Sequence, residues 1–196
     1  MNALELFCGT KSFGKEAVKR NINVVSLDFD KQHQPTICVD ILKWDYTIYP
    51  RGFFHIIWAS PDCTSWSIMT HKHRTLKEGM TPKTDTAVIG EKLICKTLEI
   101  IKYFQPFIYF IENPRGRLRH YPLMDIIPHR TTLYYSNYGW HFVKPTDIWS
   151  NVELWEETRD RSVKTTNMKK LKGENKITRS RIPQGLINKI LDHILY

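Results

Sequence analysis

The sequence predicts an α/β protein built around a doubly wound, mostly parallel sheet. Short apolar runs alternate with segments of helical period through the first half of the chain. Two of these runs, FHIIWA and FIYFI, are apolar without a break, as in strands covered on both faces. The 196 residues suit one domain. A composition of 41% apolar and 25% charged residues suits a full hydrophobic core rather than a disordered chain.

The elements follow in order. Ala3–Phe7 is the first strand. A glycine-bearing turn leads into a helix from about Phe13 to Arg20. Asn23–Leu27 is the second strand and ends in Asp28; Thr36–Val39 is a short third strand ending in Asp40. Phe54–Ala59 is the fourth. The polar stretch Ser60–Lys83, with its basic run His71–Arg74, is long for a connection, and long loops often carry function. Residues 86–104 form a helix with Ile94, Leu98 and Ile101 on one face and Leu93, Ile100 and Phe104 beside it. Phe107–Ile111 is a further buried strand that gives way to Glu112-Asn113-Pro114, where the residue before proline is biased away from helix. Thr131–Ser136 and Asp147–Trp149 are strand candidates, and the aromatic-rich stretch Tyr134–Trp149 reads as core plus a pocket wall. Residues 153–181 hold nine Lys/Arg against five Asp/Glu and few apolar residues, the composition of a loop. Pro183 then opens a last helix with the stripe Leu186, Ile187, Ile190, Leu191 and Ile194.

Composition narrows the function classes. The formal charge of +9 favours a polyanionic partner, of which nucleic acid is the usual one. No run approaches ~18 uninterrupted apolar residues, which argues against a membrane span. MNALELFCGT lacks a basic region ahead of an apolar run, which argues against a secretory signal, so a cytoplasmic protein is expected. The cysteines Cys8, Cys38, Cys63 and Cys95 show no paired spacing, so reduced thiols are expected rather than disulfides or a zinc finger. His71 and His73 lie near Cys63 but make only part of a ligand set, and no metal site is expected.

In a doubly wound sheet, ligands sit beyond the carboxyl ends of the strands. The groups expected there are Phe7-Cys8-Gly9, Asp28, Asp40, Ser60-Pro61-Asp62-Cys63 and Glu112-Asn113. FCGTKSFG carries Gly9 and Gly14, small residues that let backbone approach a ligand, or simply make a strand–helix turn. Asp28 and Asp40 suit the ribose and adenine of an adenosine-containing ligand; the ordinary alternative for each is a cap or turn. Cys63 is a reactive thiol if its pKa is lowered, and an incidental free cysteine otherwise. Glu112, at the mouth of an apolar strand, is a candidate general acid or a salt-bridge partner of Arg115, Arg117 or Arg119. Those arginines could equally bind phosphate.

Taken together, these segments resemble the cytosine-C5 DNA methyltransferase family, in its compact virus- and phage-type form. LELFCGTKSFG resembles the family's cofactor turn, SLDFD its ribose-binding acidic segment and VDI its adenine-contacting Asp-Ile. WASPDCTSWS is similar to the nucleophile loop and FIENPRG to the Glu-Asn strand end. YSNYGWHFVKPTDIWSN and RSRIPQGLINKI resemble the later polar motif and the closing segment. The resemblance implies the Rossmann-like class I fold of S-adenosylmethionine-dependent methyltransferases across residues 1–196. It implies Cys63 as nucleophile on cytosine C6, with Glu112 holding N3 and the exocyclic amine. Asn113 would support that loop, and Ser60 and Pro61 would shape the nucleophile turn. Phe7, Gly9, Asp28, Asp40 and Ile41 would hold S-adenosylmethionine. Lys144, Asn137, Arg179 and Arg181 are candidates for the family's auxiliary basic group. Arg115, Arg117, Lys144, Arg179 and Arg181 are the expected contacts to DNA, and the protein is expected to act as a monomer.

The chain departs from the family pattern at several places. Asp62 replaces the usual second proline, and a carboxylate beside the thiol opposes its ionisation. Pro114 replaces valine, and Lys11 and Ser12 stand where glycines are usual. Only the segment 153–181 and the loop 64–83 could serve target recognition, which implies short or relaxed sequence preference. Three readings stay open at this stage: methylation of DNA, a nucleic-acid-binding relative without catalysis, and the same chemistry on RNA or a free cytosine nucleotide.

Overall fold

A computed structural model describes residues 1–68, 80–166 and 180–195. It contains one seven-stranded sheet in the order β3-β2-β1-β4-β5-β7-β6. The strands are β1 (Asn2–Leu6), β2 (Asn23–Asp28), β3 (Ile37–Cys38), β4 (Ile56–Ala59), β5 (Ile108–Pro114), β6 (His129–Tyr134) and β7 (Pro145–Ser150). Strands β1 to β5 run parallel, while β7 is antiparallel to both β5 and β6. The α-helices among the described residues are α1 (Ser12–Val18), α2 (Asp85–Phe104) and α3 (Gln184–Leu195).

Continuous apolar runs are explained by burial on both faces. Along β4, Ile57 and Ala59 join the core beneath α2, while Ile56 and Trp58 join the core beneath α1 and α3. All four are at most 1% exposed, so either face would be opened by a polar substitution. Helix α2 buries Ile94, Ile100, Ile101 and Phe104, while Leu98 and Leu93 of the expected apolar face are half-buried. Its first turn is capped by the Thr84 hydroxyl, which accepts from Ala87 N at 3.3 Å. The chain leaves the helix through Gln105 in a left-handed conformation, φ 48°. Helix α3 lays Leu186, Ile187, Ile190 and Leu191 on the opposite face, and Trp58 stacks on Phe13 of α1 with centroids 5.4 Å apart.

One boundary differs from expectation in a way that shapes the site. Glu112 and Asn113 do not follow β5; they lie inside it. The antiparallel β7 supplies the partner, pairing Glu112 with Ile148, Asn113 with Asp147 and Pro114 with Thr146. The loop expected to begin at Glu112 therefore begins at Arg115. The basic run His71–Arg74, and residues 167–179 of the segment 153–181, lie outside the described residues.

Candidate active site

The turn after β1 is tightly folded. Phe7, Gly9 and Lys11 all have left-handed φ, at 56°, 45° and 56°, which is uncommon for residues with a Cβ. Asp28 locks it: Oδ2 accepts from Gly9 N at 2.9 Å and Oδ1 from Asp30 N at 3.0 Å. A Cβ at Gly9 would meet nothing closer than Phe7 O at 3.9 Å, so this backbone faces open space. Gly14 is different. A Cβ there would come within 2.6 Å of Glu5 Oε2, so its smallness serves the packing of α1 against β1 rather than approach of a ligand.

Glu5 was not singled out from the sequence. It is 2% exposed and accepts from Phe13 N at 3.1 Å, joining β1 to the start of α1. Burial pushes its carboxyl up to about 7, against the opposing pull of backbone hydrogen bonds from Gly14 and Phe13. The signal was an acidic residue interrupting an apolar strand.

Asp40 is half-buried, and its Oδ1 accepts from Leu42 N at 3.0 Å in a local turn. Ile41 beside it is 3% exposed. Phe29, also missed, projects from the end of β2 with its ring 78% exposed. It is a large apolar surface beside Asp28 that the fold itself does not cover.

The closing segment returns to this side. Ile182 N donates to Ser12 Oγ at 3.2 Å. A cavity of about 360 Å³ opens between turn and segment, lined among others by Thr10, Ser12, Tyr138, Trp140, Arg181 and Gln184. Arg181 therefore stands beside the first turn. Arg179 lies outside the described residues.

The second half of the site is built on β4 and β5. Ser60 Oγ accepts from the indole of Trp58 at 2.9 Å, which orients the start of the loop. Asn113, 1% exposed, donates Nδ2 to Pro61 O at 3.0 Å. This ties the loop bearing Cys63 to the strand bearing Glu112. Trp66 N closes a turn on Cys63 O at 3.0 Å. Asp62 is exposed, and its Oδ1 accepts from Thr64 N at 2.6 Å.

Cys63 is half-buried. Burial pushes its thiol above the ordinary value, the negative charges of Glu112 and Asp62 push the same way, and Lys144 pulls against them. The thiol is thus not ionised by its resting surroundings.

Glu112, 5% exposed, takes a hydrogen bond on Oε1 from the hydroxyl of Tyr135 at 3.0 Å. Its salt-bridge alternatives resolve differently. Arg119 grips Asp147 instead, at 2.6 and 3.0 Å, with Thr132 donating to the same carboxylate at 2.7 Å. Arg117 is 3% exposed, which corrects its expected place on a phosphate-binding surface: it lies inside the fold behind Trp66, whose carbonyl accepts from Arg117 N at 2.7 Å. Arg115 is exposed.

Of the candidates for the auxiliary basic group, Lys144 stands beside Tyr135. Its ammonium lies 4.5 Å from the centre of the Tyr135 ring, and its charge acts on Cys63. Asn137 is turned away, donating to Thr158 O at 2.9 Å and accepting from Asp160 N at 3.0 Å.

The strand order and the antiparallel β7 define the class I methyltransferase fold. A candidate DNA modification methyltransferase encoded within an E. coli prophage superposes with a TM-score of 0.54 at 15% identity, over 76% of this chain. The S. pombe Dnmt2 methyltransferase superposes with a TM-score of 0.53 at 13% identity, over 89% of it. This chain spans 46% and 62% of the length of those two. No family model matches the chain. In sequence it is 34% identical, over 161 residues, to a Frog virus 3 (isolate Goorha) protein described as a probable DNA (cytosine-5)-methyltransferase; the match covers 78% of this chain and 72% of the relative. The chain belongs to the DNA (cytosine-5)-methyltransferase family. Among the described residues, no helix is long and apolar enough to cross a membrane.

Proposed function

We propose that this protein is an S-adenosylmethionine-dependent enzyme that methylates C5 of cytosine in DNA through a transient bond between Cys63 and C6. The observation that supports the reading is the bond from Asn113 to Pro61, which ties the loop of Cys63 to the strand of Glu112, with the charges of Glu112 and Lys144 both bearing on the thiol.

The residues of the first turn fit the methyl donor. Gly9 leaves its backbone open, Phe29 offers an uncovered aromatic face, and Asp40 retains carboxylate capacity beside Ile41. The cavity beside Thr10 and Ser12 has room for a polar tail. Asp28 spends one acceptor position of each oxygen on the turn itself, and its remaining lone pairs are the ones available to ribose hydroxyls. When bound, S-adenosylmethionine supplies an electrophilic sulfonium methyl group.

C5 of cytosine is a poor nucleophile. Once the Cys63 thiol has lost its proton to solvent, addition of the thiolate to C6 pushes an electron pair through C5, which would then take the methyl group while the donor's sulfur departs with the bonding pair as a neutral thioether. Glu112 stabilises the charge that develops at N3 during this addition. A base then removes the C5 proton, the C5–C6 double bond re-forms, and the thiolate leaves. Lys144 supports the thiolate by charge. C6 is unreachable inside a duplex, so the base must be extruded or met in a single strand. Arg115 and the basic segment 153–181 would contact phosphates, which position a strand without reading it. A small recognition element implies relaxed sequence preference.

Incubating the protein with methyl-labelled donor and duplex DNA, single-stranded DNA, tRNA or dCMP, followed by mass analysis of product nucleosides, tests the reading. Labelled 5-methyldeoxycytidine from DNA is expected. Label confined to tRNA or dCMP, or none on any acceptor, would overturn it.

A further inference from the structure

We propose that Tyr135 is a positioning residue for the Glu112 carboxyl: its hydroxyl holds Oε1, so that Oε2 is the oxygen presented to the pyrimidine. The inference rests on the role assigned to Glu112 above and goes beyond it, because it names what sets the orientation of that carboxyl.

A glutamate carboxyl turns about its last bond, and its two oxygens are equivalent until something distinguishes them. Here one partner does. Tyr135 Oη lies 3.0 Å from Oε1, while Oε2 has no hydrogen-bond partner among the described residues. A phenol that donates to Oε1 makes that oxygen an acceptor, so a proton carried by Glu112 sits on Oε2, where N3 of the base would meet it. The phenol is itself fixed. Tyr135 is 0% exposed in the core beneath α1 and α3. Its N donates to Lys144 O at 3.2 Å and its carbonyl accepts from Trp140 N at 3.1 Å. The Thr146 hydroxyl, which donates to Lys144 O at 3.4 Å, favours the ionised phenol, but burial and the Glu112 charge outweigh it and keep the phenol protonated, hence a donor. The loop between β6 and β7 thus delivers the group that orients Glu112 together with the ammonium of Lys144, 4.5 Å from the same ring.

The test is a double-mutant cycle on the full chain, with a poly(dG-dC) duplex as acceptor. Tyr135→Phe keeps the ring and removes the hydroxyl. It is expected to bind S-adenosylmethionine as the parent does, to keep KM for the duplex within about twofold, and to lose kcat by roughly 10- to 100-fold, the range for a hydrogen bond to a charged group. In a Glu112→Gln background, followed by single-turnover assay, the same change is expected to cost less than about threefold, because paired residues do not add. Thr146→Val provides a second route that leaves Tyr135 whole. Its loss of roughly two- to fivefold in kcat is expected to vanish in Glu112→Gln. Equal losses in both backgrounds, or an unchanged kcat for Tyr135→Phe, would overturn the proposal while leaving Glu112 in its role. Full activity of Glu112→Gln would overturn both.

Discussion

The side-chain amide of Asn113 donates to the carbonyl oxygen of Pro61 across 3.0 Å, joining the tip of β5 to the loop that carries Cys63. The two chemical groups come from neighbouring parallel strands, and this bond sets their spacing. Strand pairing fixes the backbones only as far as Ala59 and Ile111. Beyond that point, Ser60 N to Leu6 O at 3.3 Å and Arg117 N to Trp66 O at 2.7 Å hold the two ends of the loop, and the amide holds the stretch next to Cys63.

Asn113→Ala removes the donor and leaves the Pro61 carbonyl unanswered in a buried place. Urea unfolding should report a loss of about 1–3 kcal/mol. The single-turnover rate should fall by more than the stability change implies, because the thiol is released from its position. Unchanged turnover would mean that the loop is held by other contacts.

Glu5 predicts a pH effect on stability. Its carboxyl is raised to about 7 in the fold from an ordinary 4.5. The sign follows from linkage: below about pH 4.5 both folded and unfolded chains are protonated, and above it only the unfolded chain gains by ionising. Stability from this group is therefore lost as pH rises from about 4.5 to about 7, by on the order of 3 kcal/mol. Glu5→Gln removes the titration. Denaturation midpoints of parent and variant should lie closest in acid and separate towards neutral pH, with the variant gaining on the parent, if this is right, and run parallel across the window if it is not.

Much of this arrangement is legible in the residues, and the exceptions have physical causes. Strand β4 declares itself because burial on both faces leaves no room for polar residues. The end of β5 does not, because its continuation through Glu112 and Asn113 depends on β7, a partner distant in sequence. Asp28 looks like a ligand-binding acid, but the turn it terminates also needs a carboxylate for Gly9 N. Arg119 looks like a partner for Glu112 until β7 places Asp147 nearer. Tyr135 reads as one more aromatic in a stretch of them. Only the return of the chain from β6 to β7 brings its hydroxyl to Glu112.

The thiol carries a second pH prediction. Burial, Glu112 and Asp62 hold Cys63 above its ordinary value, and Lys144 opposes them. Since the thiolate is the nucleophile, methyl transfer should rise with pH through the neutral and alkaline range. Asp62→Asn should move that rise to lower pH and raise the rate at pH 7. Lys144→Met should move it higher. Pre-steady-state rates across pH check both signs, and identical profiles for all three proteins would show that the charges do not reach the sulfur.

The central claim is a bond between the sulfur of Cys63 and C6 of the target base. Duplex DNA carrying 5-fluorodeoxycytidine blocks the final loss from C5, so the attached enzyme should accumulate as a species that survives denaturing electrophoresis. The native protein with methyl donor should yield this complex, with the mass of one methylated strand added at Cys63, and Cys63→Ser should yield none. An adduct at another residue, or methyl transfer undiminished in Cys63→Ser, would contradict the claim.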